Sequence, residues 1–207
     1  MLSFRNLSLA IAASLAFAPA AFAQDASDSA ASKRFAVVGG YAHMKPKSDA
    51  IDAPGKSGFD GGGMPTLSGS WYVNDNFAVE LWGAVDKSKQ RVRVNDANVG
   101  GIEQQPIALS GQYHFGTPGQ AIRPYVGLGY FESNITDESI NGQHVGMTTP
   151  KGAIATAGAD FNINERWFTR ADARYMKGDS DLKVGGTKVG EAQMDPWVVG
   201  VGIGARF

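Results

Sequence analysis

Along most of the chain apolar and polar residues alternate with a period of two, in runs of about ten residues that end abruptly, as strands with two unlike faces do. Eight runs follow this pattern, at 34–44, 64–74, 76–88, 103–115, 122–134, 151–162, 166–179 and 193–207. In the third, Phe77, Val79, Leu81, Gly83 and Val85 share one parity, and Ala78, Glu80, Trp82, Ala84 and Asp86 the other. The fourth sets Ile107, Leu109, Gly111, Tyr113 and Phe115 against Ala108, Ser110, Gln112 and His114. The seventh sets Trp167, Thr169, Ala171, Ala173 and Tyr175 against Phe168, Arg170, Asp172, Arg174 and Met176. The last run places Trp197, Val199, Val201, Ile203, Ala205 and Phe207 on one face, and Val198, Gly200, Gly202, Gly204 and Arg206 on the other. The fifth is ambiguous, because Val126, Leu128 and Tyr130 compete with Tyr125 and Phe131 for the apolar face.

The breaks between runs alternate in size. Short ones fall at 74–76, 116–121 and 163–165, and long ones, rich in Gly, Asp, Ser and Lys, at about 45–63, 89–102, 135–150 and 180–192. Structureless loops of that length are uncommon inside a compact soluble domain. Eight strands joined in this way put both ends of the strand region and every tight turn at one end, and every long loop at the other. The predicted fold is all-β: an eight-stranded antiparallel transmembrane β-barrel with short periplasmic turns and four long extracellular loops. Aromatic residues fall into two bands, with Trp71, Phe77, Tyr113, Phe115, Phe161, Trp167 and Phe207 beside the short turns and Tyr41, Phe131, Tyr175 and Trp197 toward the long loops. Interfacial girdles have this placement. Alternation alone also permits a soluble barrel or sandwich with the apolar parity inside; the loop asymmetry and the girdles argue against it.

The first residues sharpen this picture. MLSFRNLSLAIAASLAFAPAAFAQ has Arg5, an apolar run from Leu7 to Phe17 and a small-x-small site at Ala21-Phe22-Ala23, which reads as a secretory signal peptide over 1–23. A flexible leader over 24–33 and the barrel over 34–207 complete the predicted organisation, and the cell outer membrane is the predicted location. No cysteine is present, so neither disulfides nor thiolate chemistry is available. A net charge of -1 and the absence of any long basic block argue against a nucleic-acid partner.

Four stretches, PTLSGSWYVNDNFAVELWGA, IALSGQYHFG followed by IRPYVGLGY, DFNINERWFTRADARYM and DPWVVGVGIGARF, resemble in this order the OmpW family of small outer-membrane barrels. The resemblance implies a barrel with an unusually apolar lumen that passes small hydrophobic molecules, in part by lateral release through the wall into the bilayer. It also implies contact with outer-membrane lipid and lipopolysaccharide, and recognition of the terminal Phe207 by the outer-membrane assembly machinery. On the inward parity the candidate lumen residues are Glu80, Trp82, Gln112, His114, Asp160, Arg170, Asp172, Arg174 and Arg206. Trp82 and the position of Arg174 match places where OmpW-like barrels carry apolar constriction residues. Arg174 departs from that pattern and is expected to pair inside with Glu80 or Asp172, since facing lipid it would cost ~2–4 kcal/mol at the midplane. Charges inside a barrel this narrow suit either a plug or a conduit wall, and the alternative function is a closed-lumen structural or adhesive barrel working through its extracellular loops.

No catalytic set and no metal site is expected, because His43, His114 and His144 lack ligand spacing and no nucleophile motif is present. His43 with Ser48 or Ser133 is the nearest approach to a hydrolytic pair at the loop-side end. No cofactor is called for.

Overall fold

The computed structural model describes residues 33–45, 57–94, 97–140, 143–144, 146–147, 149–184, 187–193 and 195–207. The signal peptide read at 1–23 and residues 24–32 of the leader lie outside the described residues, as does the 46–56 portion of the first long loop. The strands are β1 (Phe35–Lys45), β2 (Ser57–Asp60), β3 (Gly62–Tyr72), β4 (Phe77–Ala84), β5 (Ser88–Val94), β6 (Ala97–His114), β7 (Ile122–Ile140), β8 (Gln143–His144), β9 (Gly146–Met147), β10 (Lys151–Asn162), β11 (Trp167–Val184), β12 (Thr187–Gln193) and β13 (Trp197–Arg206). Eight of them, β1, β3, β4, β6, β7, β10, β11 and β13, pair antiparallel in that order, and β13 returns to β1 to close the ring. The seam runs from Ala36 opposite Arg206 to Lys45 opposite Trp197, and reciprocal backbone bonds between Phe35 and Phe207 of 3.0 and 2.7 Å extend it to the last residue. In hydrocarbon no water is available for a free edge, so this closure is what allows strands to span.

The side chains sort as the alternation requires. Ala78, Glu80, Trp82 and Ala84 of β4 are buried inside, and large apolar residues such as Leu109, Leu128 and Val201 are exposed on the outer wall. The ambiguous fifth run resolves here: Val126, Leu128 and Tyr130 face outward, and Tyr125 and Phe131 face in. Phe131, expected in the loop-side girdle, is 3% exposed and belongs to the interior; the outward Tyr130 is its girdle neighbour. The other members of the bands lie on the outside, where Phe77, Tyr113 and Phe115 form an edge-to-face series with centroids 4.9 and 5.0 Å apart.

Two short turns use one device. Asn74 Oδ1 accepts from the amides of Asn76 and Phe77 at 2.9 and 2.8 Å, and Asn164 Oδ1 accepts from those of Arg166 and Trp167 at 2.9 and 2.8 Å. An asparagine side chain here mimics a backbone turn and fixes the register of both hairpins. The third turn, 115–121, needs a left-handed residue, and Gly116 at φ 69° supplies it.

At the other end the long connections contain strand. Residues read as loop at 89–94, 97–102, 135–140, 180–184 and 187–192 belong to β5, β6, β7, β11 and β12, in paired ladders beyond the barrel wall. These stretches are rich in Gly, Asp, Ser and Lys, and their period-two signal is weaker than on the barrel wall.

One interior contact tests the packing logic. Gly204 lies beneath the Phe168 ring, which a Cβ would overlap, whereas outward-facing Gly111 has nothing within 4 Å of its Cβ direction. Gly204→Val is expected to lower the unfolding free energy by about 1–3 kcal/mol, and Gly111→Val to change it by less than about 0.5 kcal/mol. Urea unfolding in lipid vesicles, followed by the heat-modifiable gel shift, measures both, and equal effects would refute the packing account.

Candidate functional site

The barrel interior is stratified. On the loop side lies an apolar layer of Ala42, Met44, Met64, Trp82, Ala84, Ala108, Phe131, Ile154, Met176 and Val198. Beneath it is a charged layer, and beneath that a smaller apolar group of Ala36, Val38, Tyr72, Ala78 and Phe168 beside the short turns.

The charged layer arises because β4, β10, β11 and β13 each direct an ionisable residue inward at neighbouring heights. Arg170 donates through Nε to Asp160 Oδ1 at 2.7 Å, through Nη2 to Asp160 Oδ2 at 3.1 Å, and through Nη1 to Glu80 Oε2 at 2.7 Å. Arg174 Nη1 donates to the other Glu80 oxygen at 2.9 Å, and its Nε and Nη2 grip Asp172 at 3.1 and 3.2 Å. Arg206 Nη2 donates to Asp160 Oδ2 at 3.0 Å and its Nη1 to Asn162 Oδ1 at 2.7 Å, and the Tyr125 hydroxyl donates to Asp172 Oδ2 at 3.2 Å. The chain Arg206, Asp160, Arg170, Glu80, Arg174, Asp172, Tyr125 therefore crosses the lumen without a gap. Aromatic faces complete it: Arg174 lies 4.5 Å over Trp82, Arg170 4.7 Å over Tyr125 and Arg206 4.1 Å over Phe168.

All nine candidate residues named from the sequence point inward, and six of them, Glu80, Asp160, Arg170, Asp172, Arg174 and Arg206, form the network. Trp82 lies between the network and the apolar layer. Gln112 and His114 stand beside it, joined by a 3.2 Å contact between Gln112 Oε1 and His114 Nε2; His114 stacks on Tyr125 at 4.8 Å, and its Nδ1 is 4.0 Å from Asp160. Arg174 pairs with both Glu80 and Asp172 rather than with one of them.

Sequence reasoning missed Arg123, Tyr125, Tyr72 and Phe168. Arg123 and Tyr125 share the parity of Phe131 on the strand whose orientation was ambiguous, and Arg123 itself was the signal, since a guanidinium is costly on the lipid side. His43 faces outward and Ser133 inward, so they lie on opposite sides of the wall and form no pair. Among the described residues no group of three or more His, Asp or Glu is placed to hold a metal ion.

Beside the network, against the wall made by β1, β3 and β13, is a partly open gap with room for little more than one water molecule, bordered by Gly40, Thr66, Trp82, Asp172, Gly200 and Gly202. A second crevice, partly open and with room for about one water molecule, lies at the short-turn mouth among Lys33, Arg34, Tyr72, Asp75, Arg123 and Arg206.

Comparison with known proteins agrees with this architecture. Residues 33–207 match the model of the OmpW family. The chain is 28% identical to outer membrane protein W of Salmonella typhimurium over 96% of its own length and 97% of that protein's. Its structure is similar to that of OprG from Pseudomonas aeruginosa, with a TM-score of 0.68 and 25% identity over 84% of this chain and 96% of that one. Outer membrane protein W of E. coli shares the fold, with a TM-score of 0.58 and 24% identity over 84% of this chain and 98% of that one. The chain belongs to the OmpW family and is an outer-membrane β-barrel.

Proposed function

We propose that the barrel is an uptake path by which small hydrophobic molecules pass from outside the cell into the outer membrane, leaving sideways rather than through the periplasmic end. The observation that carries this reading is the stacking of an apolar compartment on a charged floor. A solute arriving between the loops meets Met44, Met64, Phe131, Ile154, Met176 and Val198, a lining that suits hydrocarbon. Methionine side chains are unbranched and adaptable, so this compartment can reshape around a guest without a standing pore. Below it the Arg170–Glu80–Arg174 bridge fills the section, and an axial passage would have to separate buried charges. The gap beside the floor touches the β1–β13 wall at Gly40, Gly200 and Gly202, and a lateral exit there requires that paired seam to part. No chemical step belongs to this function.

The charged floor equally favours a second reading, a closed structural or adhesive barrel that works through its extracellular end, where paired strands extend beyond the wall. Exposed Lys45, Lys151 and Lys177 at the loop-side ends of β1, β10 and β11 support contact with lipopolysaccharide phosphates. Phe207, half-buried at the seam under the Arg166 guanidinium at 4.9 Å, is the residue through which the assembly machinery would recognise the chain, after export directed by 1–23.

Protein purified from outer membranes and reconstituted in liposomes is expected to speed entry of a small apolar solute over protein-free liposomes, and to leave entry of a polar solute of equal size unchanged. Folded protein that accelerates neither removes the uptake reading in favour of the closed barrel. Phe131→Ala, which enlarges the apolar compartment, is expected to increase apolar uptake without raising ion conductance in planar bilayers. Glu80→Gln leaves two buried guanidiniums without their shared carboxylate and is expected to cost about 3–5 kcal/mol of stability in urea unfolding. If it instead leaves stability unchanged, the floor is not held by that bridge.

A further inference from the structure

Among the described residues the buried charges of the interior do not cancel. Four guanidiniums, of Arg123, Arg170, Arg174 and Arg206, stand against the three carboxylates of Glu80, Asp160 and Asp172. Three of the arginines share those carboxylates. The fourth, Arg123, is 1% exposed, and its recorded partners are the Asp75 backbone carbonyl and the Tyr72 ring, 5.8 Å from its guanidinium carbon. A guanidinium withdrawn from water without a directly paired carboxylate is costly, and an anion at the mouth would offset that cost.

The surrounding donors are arranged for one. Arg123 borders the cleft at the short-turn mouth together with Arg206, Tyr72, Lys33 and Arg34, with Asp75 as the single acid among the lining residues. Three buried polar atoms in this lining, Arg123 Nε, Arg206 Nε and the Tyr72 hydroxyl, have no hydrogen-bond partner. Each can donate, and in a folded protein such atoms are rarely left unpaired. Arg34 stands at the exposed rim and holds the Val73 carbonyl at 3.0 Å.

We infer that the periplasmic mouth is a binding site for a phosphate-type oxyanion, either free phosphate or the phosphate of a lipid headgroup from the inner leaflet. The unpartnered guanidinium nitrogens of Arg123 and Arg206 and the Tyr72 hydroxyl are donors of the kind that several acceptor oxygens take, and the crevice they line is partly open at the short-turn end. The site is separate from the loop-side apolar compartment and does not depend on the uptake reading.

The test uses protein purified from outer membranes into a phosphate-free nonionic detergent, titrated with inorganic phosphate in a calorimeter. Saturable binding is expected, weakened about tenfold or more in Arg123→Met, since hydrogen bonds to charged groups are the stronger class. Tyr72→Phe, which removes one hydroxyl and keeps the ring, is expected to weaken it several-fold and serves if Arg123→Met fails to fold. Arg166→Met, a cation on the same rim but outside the cleft, is expected to bind as the wild type does. A parallel titration with short-chain phosphatidylglycerol identifies the source: tighter binding that displaces phosphate assigns the site to a headgroup, and weaker binding assigns it to the free anion. Absence of saturable binding by the wild type, or equal loss in Arg123→Met and Arg166→Met, overturns the proposal.

Discussion

Hydrocarbon offers a backbone amide no partner except another strand, and the rest of this molecule depends on that constraint. It requires the ring to close, and closing eight strands leaves an interior about wide enough for side chains to fill. Every second residue of every strand then competes for the same narrow volume. Large residues are accommodated where a neighbour yields, as Phe168 is over Gly204. Polar and charged residues kept off the lipid face are driven into one another, and the interior becomes a place where ionisable groups must find partners within a few ångströms.

Sharing is how they do so. Glu80 serves Arg170 and Arg174, and Asp160 serves Arg170 and Arg206, so that each carboxylate ties together strands that are not adjacent in the chain. Buried ion pairs seldom add much net stability over well-packed apolar residues, because desolvation offsets the attraction. Their contribution here is of another kind. An ion moving along the axis would have to separate the charges that span the section, and the ion-paired layer closes the floor by that cost as well as by its bulk.

The parts of this architecture that the sequence made legible are those where the two faces differ most. In the β4 and β11 segments a carboxylate or guanidinium opposes Leu81 or Trp167, so alternation gives the parity, and the loop asymmetry and girdles turn the charged parity inward. In β7, Tyr125 and Phe131 on one side and Val126, Leu128 and Tyr130 on the other are equally apolar to a pattern reader. The position of Phe131 and the presence of Arg123 in the interior were lost with that ambiguity. The extensions of β6, β7 and β11 were illegible for another reason, since their Gly, Asp and Ser content breaks the alternation that marks a strand. Which carboxylate each arginine takes was not legible either, because pairing across the lumen depends on strand tilt and stagger, which no local pattern encodes.

The layering also gives the proposed route its direction. An apolar solute in the loop-side compartment has Met and Phe side chains around it, and continuing downward would bring it against fully charged groups. Each methylene moved from an apolar to an aqueous or charged setting costs roughly 0.8 kcal/mol, so even a short hydrocarbon faces a barrier of several kcal/mol at the floor. Leaving sideways requires paired backbone to part but separates no buried charges, and the outer face of the wall is Leu, Val and aromatic carbon with the bilayer beyond it. A cationic mouth on the far side strengthens the asymmetry, because it favours anions at the end of the barrel that an apolar guest does not reach. Two chemically opposite compartments separated by one ion-paired layer make the barrel a structure with two faces rather than one pore.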